Sequence, residues 1–126
     1  MNSIMFQPHT CRFFLYAPFS ELIRDQLQIL PFDPINGIQL YFQSVSHECH
    51  QSVTVEIDPQ GNISEVTLID PETGSTDLVF NFKNDFFTHH GDQLGLICGH
   101  PQFHRLQQTL PAHFTVGHYT VKAIAL

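Results

Sequence analysis

Residues 52–58, SVTVEID, alternate apolar and polar side chains, with Val53, Val55 and Ile57 interleaved by Thr54, Glu56 and Asp58. A period of two puts the aliphatic residues on one face of a strand, whereas a helix would scatter them around its circumference. The turn DPQGN follows, carrying the Pro and Gly that a hairpin loop uses. The return stretch ISEVTLID shifts phase between Ile63 and Val66, which predicts a β-bulge. DPETGST makes a second turn, and DLVFNF resumes with Leu78, Phe80 and Phe82 on one face. Consecutive hairpins of this kind commit the chain to an antiparallel sheet.

The flanking segments extend the pattern. Residues 37–45 alternate Ile38, Leu40 and Phe42 against Gln39, Tyr41 and Gln43, again a half-buried strand. Residues 3–7 and 11–16 read as short strands, LGLIC (94–98) as another, and HFTVGHYTVKAIAL (113–126) as one long final strand. On that strand His118 shares a face with Phe114 and Val116, while Gly117 marks a bulge or a close backbone approach. His9 and His113, each beside or near a proline, are expected to decorate loops.

Two stretches carry helical spacing. Residues 19–30 place Leu22, Ile23, Leu27 and Leu30 on one stripe, with Ser20 as N-cap, Glu21 in the first turn and Pro31 as the stop. Residues 101–110 start with Pro101 at a natural first helical position and space Phe103, Leu106 and Leu110 along one face. The expected fold is therefore mainly β, with α+β as the alternative. It has about eight mostly antiparallel strands, as a sandwich or partly open barrel, and two short helices. At 126 residues, without internal repeats or a Gly/Ser linker, residues 1–126 make a single globular domain.

Charge narrows the function. The chain carries twelve acidic residues against five Lys and Arg, net −7 with neutral histidines. Five scattered cations make a poor phosphate-neutralising surface, which excludes direct nucleic-acid binding as an expectation. From Glu56 to Asp92 eight acids stand against Lys83 alone, so that segment holds the whole net −7. Charged residues are only 13% of the chain, about half the usual share, and a surface so weakly charged favours contact with a partner.

Three cysteines, Cys11, Cys49 and Cys98, lie far apart and form no disulfide framework. The first residues lack a basic stretch followed by a clean apolar core, so no signal peptide is expected. No apolar run approaches the roughly 18 residues of a membrane span. A reducing cytoplasm is the expected compartment, with no membrane association.

Nine histidines invite a search for chemistry. HECH supplies His47, Glu48, Cys49 and His50, and CGHPQFH supplies Cys98, His100 and His104. Zinc takes Cys sulfur and His nitrogen tetrahedrally, often from two chain segments, so Cys98, His100, His104, His47 and His50 are the candidate ligands. His100 and His104 would lie four residues apart on one helix. Against this, C-x-x-C and H-E-x-x-H patterns are both missing. A cysteine nucleophile would need Cys98 or Cys49 beside a histidine and an acid such as Asp92 or Glu48. Cys98, however, ends an apolar run where a thiol is usually buried and inert. A glycosidase-like carboxylate pair has no feature to bury it, and G-x-S-x-G and glycine-rich phosphate loops are missing. Twelve Phe could line a cavity for a hydrophobic ligand or fill a solid core equally well.

The expectation is a small non-catalytic inhibitor or adaptor without a cofactor. It would bind a protein with a basic surface through the hairpin acids Glu56, Asp58, Glu65, Asp70 and Glu72. A metal-binding protein or metal-dependent enzyme using the Cys/His cluster, with zinc as the ion, is the alternative. A hydrophobic-ligand carrier is the second alternative. The C-terminal strand, with Lys122 as its one edge charge, is expected to allow a homodimer.

Overall fold

The hairpins foreseen between residues 52 and 82 form the centre of a longer meander. In the computed structural model, which describes residues 4–45 and 51–126, six strands follow one another. They are β1 (Ile38–Ser44), β2 (Ser52–Ile57), β3 (Ile63–Ile69), β4 (Thr76–Asn81), β5 (Phe86–His89) and β6 (Asp92–Gly95). Each pairs antiparallel with the next. A seventh, β7 (Tyr119–Ala125), returns to lie antiparallel beside β1, from Ile38↔Ala125 to Ser44↔Tyr119. All seven belong to one sheet of order β6-β5-β4-β3-β2-β1-β7. The chain is thus mainly β, and with two helices an α+β class fits it.

Register explains which residues form the core. Leu94, Phe87, Phe80, Val66, Val55, Leu40 and Ala123 are cross-strand partners in one row spanning the whole sheet. The five central members of that row are almost wholly buried. The next row, on the opposite face, is Gly95, Phe86, Asn81, Glu65, Glu56, Gln39 and Ile124. The predicted bulge is present: Glu56 pairs with Glu65 but Ile57 pairs with Ile63, which leaves Ser64 as the extra residue.

The helices α1 (Ala17–Gln28) and α2 (His100–Thr115) pack on the apolar face and against each other. At their junction Phe103 is fully buried, with ring centres of Phe13, Phe19, Phe80 and Phe82 between 5.2 and 5.9 Å away. Burying each such ring contributes about 1.5–3 kcal/mol, so this cluster is the main weld between helices and sheet.

Four sequence expectations are corrected. The first concerns the helix limits. Helix α1 starts at Ala17, three residues before Ser20, because Pro18 suits a first turn that needs no N–H donor. Helix α2 does not stop before Pro111 but runs on to Thr115. Its last turn is held by packing, with Phe114 edge-on to Phe42 at 6.0 Å.

Second, the long final strand does not exist. Residues 113–115 are helical, 116–118 turn, and only Tyr119–Ala125 is strand, so Phe114, Val116 and His118 share no strand face. Gly117, at φ +85°, is the left-handed residue that ends α2, not a bulge.

Third, β6 ends at Gly95, and Leu96–Gly99 form a 3₁₀ turn that leaves Cys98 exposed rather than buried. The turn passes so close over Phe87 that a Cβ on Gly99 would lie 2.6 Å from the ring.

Fourth, residues 4–16 pair with no strand, residue 3 lying outside the described residues. Their alternation is real, since Phe13 and Leu15 are buried while Phe14 is exposed, but a side chain satisfies the backbone. Buried Gln107 of α2 accepts the Tyr16 N–H through Oε1 at 2.7 Å and donates through Nε2 to the Phe14 carbonyl at 2.9 Å. Its amide stands where a neighbouring strand's peptide would otherwise stand.

Candidate functional site

The five hairpin acids do not make one patch. Asp58 and Asp70 open the turns at opposite ends of β3 and are occupied in building them. Asp58 accepts the N–H groups of Gln60 and Asn62 at 3.0 and 2.9 Å, and its second oxygen takes the Asn62 amide at 3.2 Å. Asp70 accepts the Glu72 N–H at 2.9 Å, and Glu72 itself is exposed.

Glu56 and Glu65 differ from these. They face each other across β2 and β3 on the sheet surface that carries no helix. Like charges directly opposite destabilise a sheet. The Glu56 carboxyl is accordingly held above its ordinary range, by partial burial first and by the Glu65 charge second, with Lys83 pulling the other way. Asn81, next along the row, donates to Glu65 at 3.1 Å. A groove of about 710 Å³ runs from Glu56 and Asp58 to Arg12 and Lys83. Arg12 is paired there with Asp85 at 2.9 Å, an exposed contact worth little in water.

The candidate metal ligands are dispersed where the structure describes them. Cys98 sits exposed on the 3₁₀ turn. His100 packs edge-on against Phe13, with ring centres 5.0 Å apart. His104 meets the Tyr16 hydroxyl through Nδ1 at 2.6 Å, with the rings crossed at 86°. His47 and His50 lie outside the described residues, as do Glu48 and Cys49. Among the described residues no group of three or more His, Cys, Asp or Glu side chains gathers to hold a metal. Cys11 is a poor nucleophile, because burial pushes its thiol up to about 11 despite opposing hydrogen bonds from the Phe13 and Arg12 backbone.

Two polar pairs were not foreseen. One is Tyr16–His104. The other is His113–His118, whose Nδ1 atoms lie 3.3 Å apart. The sequence contains a signal for the second pair: a glycine at C′ places the residues at C3 and C″ side by side, here the two histidines of HFTVGH. Tyr119, next in the chain, donates its hydroxyl to the Gln51 carbonyl at 2.7 Å, and burial pushes that hydroxyl up to about 12. His113, Tyr119, Gln51 and Arg105 line a cavity of about 320 Å³ between α2 and strands β2, β3 and β4.

No helix among the described residues is long and apolar enough to cross a membrane. Comparison of the chain with protein-family models, with curated proteins and with solved structures found no match.

Proposed function

We propose that the protein is a small non-catalytic binding module, an inhibitor or adaptor of the cytoplasm. The uncovered face of its sheet would receive a partner protein through basic side chains. The observation that carries this reading is the Glu56–Glu65 pair. Two carboxylates set opposite each other on adjacent strands, one of them partly desolvated, work against folding. A Lys or Arg brought between them would relieve both effects, so the arrangement costs least when a cation is bound. Asn81 orients Glu65 from one side, and Asp58 adds negative charge at the adjacent turn. Free thiols at Cys11 and Cys98 suit a reducing compartment.

The test compares capture on the natural chain with capture on the double variant E56K/E65K, at low and at raised ionic strength. A partner held by the natural chain, released by salt and lost on charge reversal supports the reading. An identical set of bound proteins with an identical salt response on both chains would end it.

A further inference from the structure

Along α2, Arg105 and Leu106 follow Gln102 at the three- and four-residue spacing that puts side chains on one helix stripe. The stripe stands over a row of cross-strand partners, Val53, Leu68 and Leu78, on the apolar face of the sheet. Leu106 and these three are all buried, yet helix and sheet do not close on each other here. Between them lies the cavity of about 320 Å³, and among the described residues no phenylalanine lines it. That volume falls in the range of roughly 300–1,000 Å³ that small-molecule sites occupy.

The charge of the wall is one-sided. None of the described lining residues is acidic, although the chain as a whole carries net −7. Arg105 lines the cavity with its side chain exposed, and among the described residues its guanidinium has no ion pair. A guanidinium is a planar fork of donors that matches a carboxylate through two parallel hydrogen bonds. Gln102 adds a second demand. Its Oε1 is shut off from solvent without a hydrogen-bond partner, a costly state for a buried acceptor. The last torsion of a glutamine side chain is broad, so this oxygen is free to turn toward a donor lodged in the cavity.

We infer that this cavity binds a small acid with an apolar body and a hydroxyl or amino group beside its carboxylate. The carboxylate pairs with Arg105, and the neighbouring O–H or N–H donates to Gln102 Oε1. The apolar body rests on Val53, Leu68, Leu78 and Leu106. Each part of such a ligand answers one property of the wall: an unpaired guanidinium, an orphaned acceptor and an aliphatic floor. The site needs no nitrogen of His113 or His118. It lies on the helix-covered face, opposite to Glu56 and Glu65, and does not depend on the sheet-face reading.

The probe is phenyllactate, titrated into the intact chain and followed by methyl ¹H–¹³C spectra. Saturable shifts are expected at the methyl groups of Val53, Leu68, Leu78 and Leu106. Phenylpropanoate lacks the hydroxyl, and the diol made by reducing phenyllactate lacks the carboxylate. Each should bind about tenfold more weakly. R105Q should weaken phenyllactate by a similar factor. R24Q alters the arginine of a separate cavity of about 430 Å³ beside α1 and should bind as the natural chain does. The site is ruled out if no saturable binding occurs, if the shifted methyl groups belong to other residues, or if R105Q or phenylpropanoate shows undiminished affinity. The spectra and the analogue series are read on the natural chain, so they decide the matter even if a variant folds poorly.

Discussion

Among single residues, Gln107 ties helix α2 to the segment that precedes α1. It is 3% exposed, and its amide meets two backbone groups of residues 14–16 at once. Q107L preserves most of the volume but leaves the Phe14 carbonyl and the Tyr16 N–H unpaired, each costing about 1–3 kcal/mol if they stay buried. The expected result is a lower denaturant midpoint and faster amide exchange at Tyr16 than at central strand positions. Unchanged protection of Tyr16 would show that the amide bridge contributes nothing. Little of this was visible in the sequence. The alternation of Phe13 and Leu15 with Phe14 and Tyr16 says correctly which side is buried. It says nothing of whether a strand or a lone side chain completes the hydrogen bonding.

At the scale of elements, the β2–β3 hairpin carries the sharpest backbone constraint. Gly61 sits at φ +90°, and a Cβ there would lie 1.8 Å from the Met5 carbonyl oxygen. G61A therefore adds a steric conflict to the roughly 1–2 kcal/mol that a left-handed non-glycine residue costs. It should lower stability by more than that and loosen residues 4–7, where the Gln7 N–H bonds the Gly61 carbonyl at 2.9 Å. Equilibrium denaturation alongside the parent chain measures it, and a loss below about 1 kcal/mol would contradict the contact. Hairpins such as this one were legible because period-two alternation and Pro-Gly turn chemistry are local signals. The phase change at Ile63–Val66 even located the bulge. Limits set by tertiary contact were not legible. Pro111 looks like a stop, yet Phe114 packing on Phe42 carries the helix through it. Ending the expected helix at residue 110 turned HFTVGH into strand and separated His113 from His118. The Glu56–Glu65 pairing also needed the bulged register, which fixes which residue of β3 stands opposite which residue of β2.

For the whole molecule, the uncovered sheet face couples stability to pH. Glu56 has its carboxyl raised by burial and by Glu65, so the folded chain holds this proton more tightly than the unfolded chain does. The sign follows from linkage: stability from this group falls as pH rises through its range. The penalty is fully present at neutral pH, and it disappears below about 4.3, where glutamates of the unfolded chain also take up protons. E56Q should therefore raise the melting temperature at pH 7 and leave it unchanged in acid. Under the proposed function the same variant weakens partner capture, so stability and binding move in opposite directions. Melting curves of E56Q and the parent at both pH values check the first half, and a neutral-pH melting temperature no higher than the parent's would refute it.

The pairing of β7 with β1 has a consequence for how the chain reaches its fold. Strands β1 to β6 each meet a neighbour close in sequence, so their loops close at small entropic cost. The partner of Ile38 is Ala125, and almost the whole meander and α2 lie between them. That contact has the longest loop to close and is expected to form last, as slow non-local pairings do. Until then one side of β1 remains an open strand edge through Leu40 and Phe42, able to pair with another chain. The interval before β7 docks is thus when crowding endangers this protein most, and refolding yield should fall as chain concentration rises.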